Sequence, residues 1–217
     1  MPVTRDSSSR PPPRLDPPEL TLRSLSLPLE HQPGDRAPAP GDLRLVQAFV
    51  NTRWDLERAL EERFASPSAL AEWLHAHDLL QPGVRLRSSD LERVMDVREG
   101  LRALLFANNG ADADHGAIGR LNRALTGPGM FVCLDAWAPP DFKVQRRDLD
   151  GAVALLATVV AVAQLDGRWS RLKACRGRHC GWAFYDHSRN QSGNWCSMSV
   201  CGSRTKAREY RRRRRSS

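Results

Sequence analysis

The chain has 217 residues, 41% of them hydrophobic, and a net charge of +8 from 33 Lys or Arg against 25 Asp or Glu. That length and hydrophobic content allow one good-sized domain with a small satellite, and exclude a wholly disordered chain. The longest apolar run, Gly151 to Gln164, is shorter than the roughly 20 residues of a bilayer-spanning helix, so no membrane role is expected.

Residues 1–40 hold 10 of the 15 prolines and few aromatic or β-branched residues. Such a segment buries too little apolar surface to offset its ordering entropy, so we expect disorder there. Leu20 to Leu29 alternates apolar and polar residues with one slip, which would suit an edge strand. The Pro- and Ser-rich start has no apolar signal core, which suggests a reducing cytoplasm as the chain's compartment.

Folding is expected to begin near Gly41. Leu45, Val46, Phe49, Val50 and Trp54 recur at helical spacing, and the helix could run on through Leu56, Leu60 and Phe64, with Asn51-Thr52 as a potential break. Ser66-Pro67 starts a second helix, carrying Leu70, Trp73 and Leu74. Ser88 or Ser89 opens a third, whose buried side has Leu91, Val94, Met95, Val97, Leu101, Leu104 and Leu105, and Asn108-Asn109-Gly110 ends it. A short helix from Asp114 to Leu125 precedes Gly127-Pro128-Gly129. Strands follow at Met130–Ala136 and Phe142–Gln145. Asp148 to Leu165 is apolar on nearly all sides and belongs at the centre of the helical core.

Charge is unevenly spread. Arg168 to Ser217 contains 14 Lys or Arg against Asp186 and Glu209, a net +12 that leaves −4 for the other 167 residues. A mildly acidic body with a strongly basic end suggests a polyanionic partner for that end. The same end holds four of the five cysteines, as Cys175/Cys180 and Cys196/Cys201, each pair enclosing four residues. Two thiol pairs on tight turns suit one tetrahedral ion, and in a module of about 30 residues a bound zinc supplies the folding energy that a core cannot. His179 and His187 are alternative ligands, and four thiolates also suit an iron–sulfur cluster. Trp182, Phe184 and Tyr185 alternate as a strand would, leading from the first cysteine pair into a hairpin turned at Asp186 to Asn190. After Cys201, Gly202 allows a tight turn and Ser203 is an N-cap for a helix from Arg204. Cys133 reads as a buried core residue.

Phe184-Tyr185-Asp186-His187-Ser188-Arg189-Asn190, Trp195-Cys196-Ser197-Met198 and Cys201-Gly202-Ser203-Arg204-Thr205-Lys206-Ala207 closely resemble the CGNR zinc-finger family. Ser203 stands where that family has asparagine, and Asn194 precedes Trp195 where the family tends to have arginine. Upstream, Phe49-Val50-Asn51-Thr52-Arg53-Trp54 is similar to the start of the ABATE domain that precedes such fingers. The resemblance implies a stress-responsive transcriptional regulator with a nucleic-acid-binding finger.

The expected fold is therefore α+β and mainly helical. A disordered segment 1–40 leads to a helical domain with a small sheet at 41–168. A four-cysteine zinc module of treble-clef or ribbon type follows at 169–207, then an Arg-rich tail at 208–217. One structural Zn2+ is expected on Cys175, Cys180, Cys196 and Cys201. Arg204, Arg208, Arg211, Arg212 and Arg215 share one face of the last helix, at offsets of 0, 4, 7, 8 and 11. With Lys206, Arg189 and Asn190 they are the candidate nucleic-acid contacts, with DNA ahead of RNA, and a protein-interaction module is the rival reading. A homodimer and a small-molecule signal in the larger domain are further expectations. No phosphate-binding loop, dinucleotide fingerprint or nucleophile triad is present, so no enzyme is expected. His75, His77 and Asp78, with Glu72 near by, read as surface residues at a helix end.

Overall fold

The computed structural model describes residues 20–21, 32–55, 60–127, 129, 131–133, 141–144 and 147–215. The reading of residues 1–19 and 22–31 as disordered, the remainder of the strand expected at Leu20–Leu29, and the ends of the two strands expected after Met130 lie outside these residues. So does the side chain of Cys133.

The six α-helices among the described residues are α1 (Leu43–Val50), α2 (Pro67–Ala76), α3 (Ser88–Asn108), α4 (His115–Ala124), α5 (Leu149–Leu165) and α6 (Ser203–Arg215). Their starts follow local chemistry. Ser66, Asp114 and Asp148 each accept a hydrogen bond from the backbone N–H three residues on, at 3.1, 2.9 and 3.0 Å. Asp90 reaches back to the backbone N–H of Arg87 at 2.8 Å. α5 is the central helix, with Leu149, Val153, Leu155, Leu156, Val159 and Ala163 all buried. It packs against α1 and α3, while α4 lies along α3. Leu165 at its end is 87% exposed.

Strands are short. β4 (Phe131–Cys133) and β1 (Leu20–Thr21) flank β5 (Asp141–Val144) in an antiparallel sheet with Leu20 opposite Val144 and Val132 opposite Phe142. β2 (Arg53–Asp55) and β3 (Leu60–Glu62) form a hairpin. A helix through Leu60 and Phe64 is thus overturned: α1 stops at Val50, Asn51 and Thr52 form a turn, and the chain reverses. Phe64 is still buried, against Phe49 and Trp73 at centroid distances of 5.8 and 5.6 Å. Its helical spacing marks a shared core, not a shared helix.

Three further expectations need correction. Residues 32–40 are ordered: Gln32 and Ala39 are buried, and a turn of 3-10 helix spans Pro33–Asp35. The hairpin expected to lead from the first cysteine pair is placed differently, because β6 (Leu172–Ala174) pairs antiparallel with β7 (Ala183–Tyr185). That hairpin encloses the first cysteine pair; it does not lead away from it. His77 is buried, stacked on Trp73 at 3.8 Å with Nδ1 2.8 Å from the Trp73 carbonyl, while His75 Nδ1 meets the Leu80 carbonyl at 2.8 Å. Both histidines serve to close α2. No helix among the described residues is long and apolar enough to cross a membrane.

Candidate metal centre

Cys175, Cys180, Cys196 and Cys201 are all buried, and their sulfurs lie within 4.8 Å of one another. Cys180 to Cys196 measures 3.8 Å and Cys196 to Cys201 3.7 Å. These are too long for disulfides, whose sulfurs stand about 2.05 Å apart. They match a single-ion shell: a tetrahedron with zinc–sulfur bonds of about 2.3 Å has edges of about 3.8 Å. Hydrogen bonds from the other three thiols favour the thiolate at Cys175, while the bonds to Cys175 push Cys180 and Cys196 upward, so a bound cation is what would hold all four as thiolates. The Gly177 N–H donates to Cys175 Sγ at 3.4 Å. His179 and His187 stand outside the cluster, and His187 Nε2 meets the Pro38 carbonyl at 3.1 Å.

The β6–β7 hairpin mounts this centre by strand alternation. Leu172, Ala174, Ala183 and Tyr185 belong to the core of the large domain, whereas Trp182 and Phe184 pack with the four cysteines. Successive side chains of β7 thus face opposite cores. Trp195, Val200 and Trp54 complete the cysteine-side cluster, with Trp54 edge-on to Trp182 at 5.2 Å. Trp195 is a packing residue, half-buried.

Buried polar groups hold the joint. Asn51 donates to the Ala183 carbonyl at 2.9 Å and accepts from its N–H at 2.7 Å. Asn109 donates to the carbonyls of Ala174 and Asn194 at 2.8 and 3.1 Å, one on each side of the finger. Arg102 donates to Gly181, Val50 and Arg53 carbonyls at 2.6, 2.8 and 2.9 Å, and to Glu99 at 3.0 Å. Arg98, only 1% exposed, grips both oxygens of Glu62 at 2.7 Å. Burial pushes the Glu62 and Glu99 carboxyls upward, but the hydrogen bonds and charges of Arg98, Arg102 and Arg53 outweigh it and hold both below 4.5. These arginines escape a hydrophobic-pattern reading because they sit on the buried side of α3.

A strap of residues 32–39 lies over the finger. Arg36 donates to the carbonyls of Cys196, Trp195 and Tyr185 at 3.0, 3.1 and 3.4 Å, with its guanidinium 4.8 Å from the Phe184 ring. Gln32 accepts from Trp182 Nε1 at 3.2 Å and from Gln47 at 2.9 Å. Gly34, at φ 68°, sits so close that a Cβ there would stand 2.6 Å from Ser197 Oγ.

Beyond the finger, a π-turn at Met198–Gly202 runs straight into α6. Ser203 is consequently not the N-cap: it is already helical, and its hydroxyl donates to the Met198 carbonyl at 2.9 Å. Ser197 is the cap, accepting from the Val200 N–H at 3.3 Å. Gly202 is not a turning residue; a Cβ there would meet Met198 Sδ at 2.7 Å, which that exposed side chain can relieve, and Trp195 Cδ1 at 3.1 Å. The structure places Arg204, Lys206, Arg208, Arg211, Arg212 and Arg215 together on α6, which buries none of its residues. Arg189 and Asn190 sit on a separate element, the exposed turn after β7. Asp186 organises that turn, accepting from Ser188 Oγ and N, from Gly193 N and from Lys173 Nζ at 2.6, 3.1, 2.7 and 3.0 Å. Burial raises its pKa, yet these bonds together hold it well below the usual carboxylate range.

Comparison with known families agrees with this geometry. Residues 171–214 match the CGNR zinc finger, and residues 43–166 match ABATE, described as "Putative stress-induced transcription regulator". No curated protein matches the chain. Neither family is an enzyme family. Four cysteines at ligand distance within a CGNR zinc finger support one structural zinc, which would fix the two turns and leave no open coordination position. Because the ABATE match spans more than half of its residues, the chain belongs to the ABATE family and carries a CGNR zinc finger at its C-terminal end.

Proposed function

We propose that this protein is a transcriptional regulator that binds nucleic acid, DNA foremost, through its zinc-stabilised C-terminal module. The observation that carries the reading is α6: thirteen residues with eight Lys or Arg and one acid, set directly after the last cysteine and burying no side chain. A helix so charged repels itself in isolation, and phosphates relieve that repulsion by displacing condensed counterions. In this reading Cys175, Cys180, Cys196 and Cys201 hold the ion, and the zinc acts only by anchoring α6. On α6, Arg204, Lys206, Arg211 and Arg215 supply the contacts, supplemented by Arg189 and Asn190 from the neighbouring turn. The domain arrangement supports it too: ABATE matches at 43–166 and CGNR at 171–214 divide the chain into a body and a mounted finger. A cytoplasmic site of action follows from this role.

The test is binding of zinc-replete protein to labelled duplex DNA across a salt series. With four to six phosphate contacts, log affinity should fall against log salt with a slope of roughly −4 to −5. Protein that holds about one zinc yet binds neither DNA nor RNA would falsify the reading and favour an acidic protein partner.

A further inference from the structure

Basic residues surround α6; they do not form a single stripe. At about 100° per residue, Arg204, Arg211 and Arg215 form one ridge. Lys206 and Arg213 form a second, on nearly the opposite side. Between the ridges on one flank lie Ala207, Tyr210 and Arg214. On the other lie Thr205 and Glu209, with Arg208 and Arg212 leaning towards them. Two observations say which flank faces a ligand. Thr205 and Arg208 are the half-buried positions of the helix, so that flank is turned to the finger. The only acid of α6, Glu209, lies on that same flank. Tyr210, in contrast, is 62% exposed, with the Arg214 guanidinium 5.8 Å from its ring.

Resting on the nucleic-acid reading above, we propose that α6 lies in the major groove of duplex DNA, its Ala207–Tyr210–Arg214 strip facing the floor and its two ridges facing the phosphates of opposite strands. The dimensions agree: a helix with side chains is about 10–12 Å across and the major groove of B-DNA about 12 Å wide. The deep, narrow major groove of duplex RNA does not admit a helix with its side chains. Single strands are held by stacking successive bases on several aromatic platforms; Trp54, Trp182 and Trp195 are spent in the cysteine-side cluster, which leaves Tyr210 as the one ring on α6. Arg214 is placed to donate to guanine O6 and N7, while Arg213 joins Lys206 on the second strand. Arg208 and Arg212, on the side turned to the finger, contribute little.

Two double variants with equal charge loss separate this orientation from a one-faced stripe. R213Q/R214Q should shrink the salt slope on duplex DNA by about 1–2 and weaken binding at least tenfold, whereas R208Q/R212Q should change the slope by less than about 0.5. Guanine N7 should be protected from dimethyl sulfate by the intact protein, and duplex RNA should compete poorly. The orientation is overturned if R208Q/R212Q costs as much as R213Q/R214Q or more, if N7 stays reactive in a saturated complex, or if duplex RNA competes equally. Absence of any nucleic-acid binding by the intact protein would instead overturn the broader reading. Zinc content of both variants, expected to match the parent, confirms that the finger is intact.

Discussion

The ABATE body and the finger are built on opposite economies of material. The body has a contiguous apolar core drawn from α1, α2, α3 and α5, and no metal-ligand cluster lies among its described residues. The finger has six buried residues around its centre, four of them cysteines, so its fold depends on the metal and on groups lent by the body. Asn51, Arg102 and Asn109 saturate finger carbonyls from below and Arg36 does so from above. The difference teaches that the finger is mounted and not merely tethered: its backbone polar groups are satisfied by the body's side chains.

Removing zinc tests the comparison most severely. Structural zinc in finger peptides contributes about 10–16 kcal/mol of apparent binding energy. A strong chelator or Cys196→Ser should therefore abolish the finger while α1 to α5 keep their helical circular dichroism. Loss of all helicity would show that body and finger are one cooperative unit. Arg102→Ala removes the side-chain donor to three carbonyls and one of the arginines that hold Glu99, and should destabilise the protein by about 3–5 kcal/mol in urea unfolding. A change below about 0.5 kcal/mol would show that the joint is not held by this side chain. Leu155→Ala, at the centre of α5, should cost about 2–5 kcal/mol with zinc stoichiometry unchanged, which would confirm that the body's core is independent of the metal. Arg36→Ala should act on the finger alone, at about 1.5–3 kcal/mol, seen as faster zinc transfer to a chromophoric chelator with an unaltered body.

The smallest effect expected is a pH dependence. Glu62 and Glu99 are held below 4.5 in the folded state, so their ion pairs stabilise the protein fully above that value. That contribution is lost as pH falls through the lowered folded values. Glu62→Gln should flatten the acid limb of body stability, read by circular dichroism, and an unchanged limb would place the titrating groups elsewhere.

Much of this was legible in the sequence where periodicity or spacing carried it. The equal cysteine spacings announced the metal centre, and the apolar register of Val153 to Val162 announced the central helix. What stayed hidden was polar and long-range. Asn51-Thr52 reads locally as a poor helical pair, and nothing in its neighbours says that the amide meets Ala183, 132 residues away. Arg98 and Arg102 look like surface charges because burial of an arginine depends on carbonyls and carboxylates brought in by other elements. Residues 32–40 look disordered by composition, since their order rests on a surface that the finger provides. The helix expected through Leu60 and Phe64 failed for a similar reason, as a β-hairpin can deliver Phe64 to the same core that a helical register would.

The strap has a consequence for how the chain is made. Arg36 leaves the ribosome early, but the carbonyls it bonds belong to Tyr185, Trp195 and Cys196, some 150 to 160 residues later. Leu20 and Thr21 likewise wait for β5. The strap can be locked only after the finger has been synthesised and has taken up its metal, so its closure is a long-range and late event in folding. Until then Arg36 lacks its three carbonyl partners, so metal uptake by the finger and closure of the strap are coupled events.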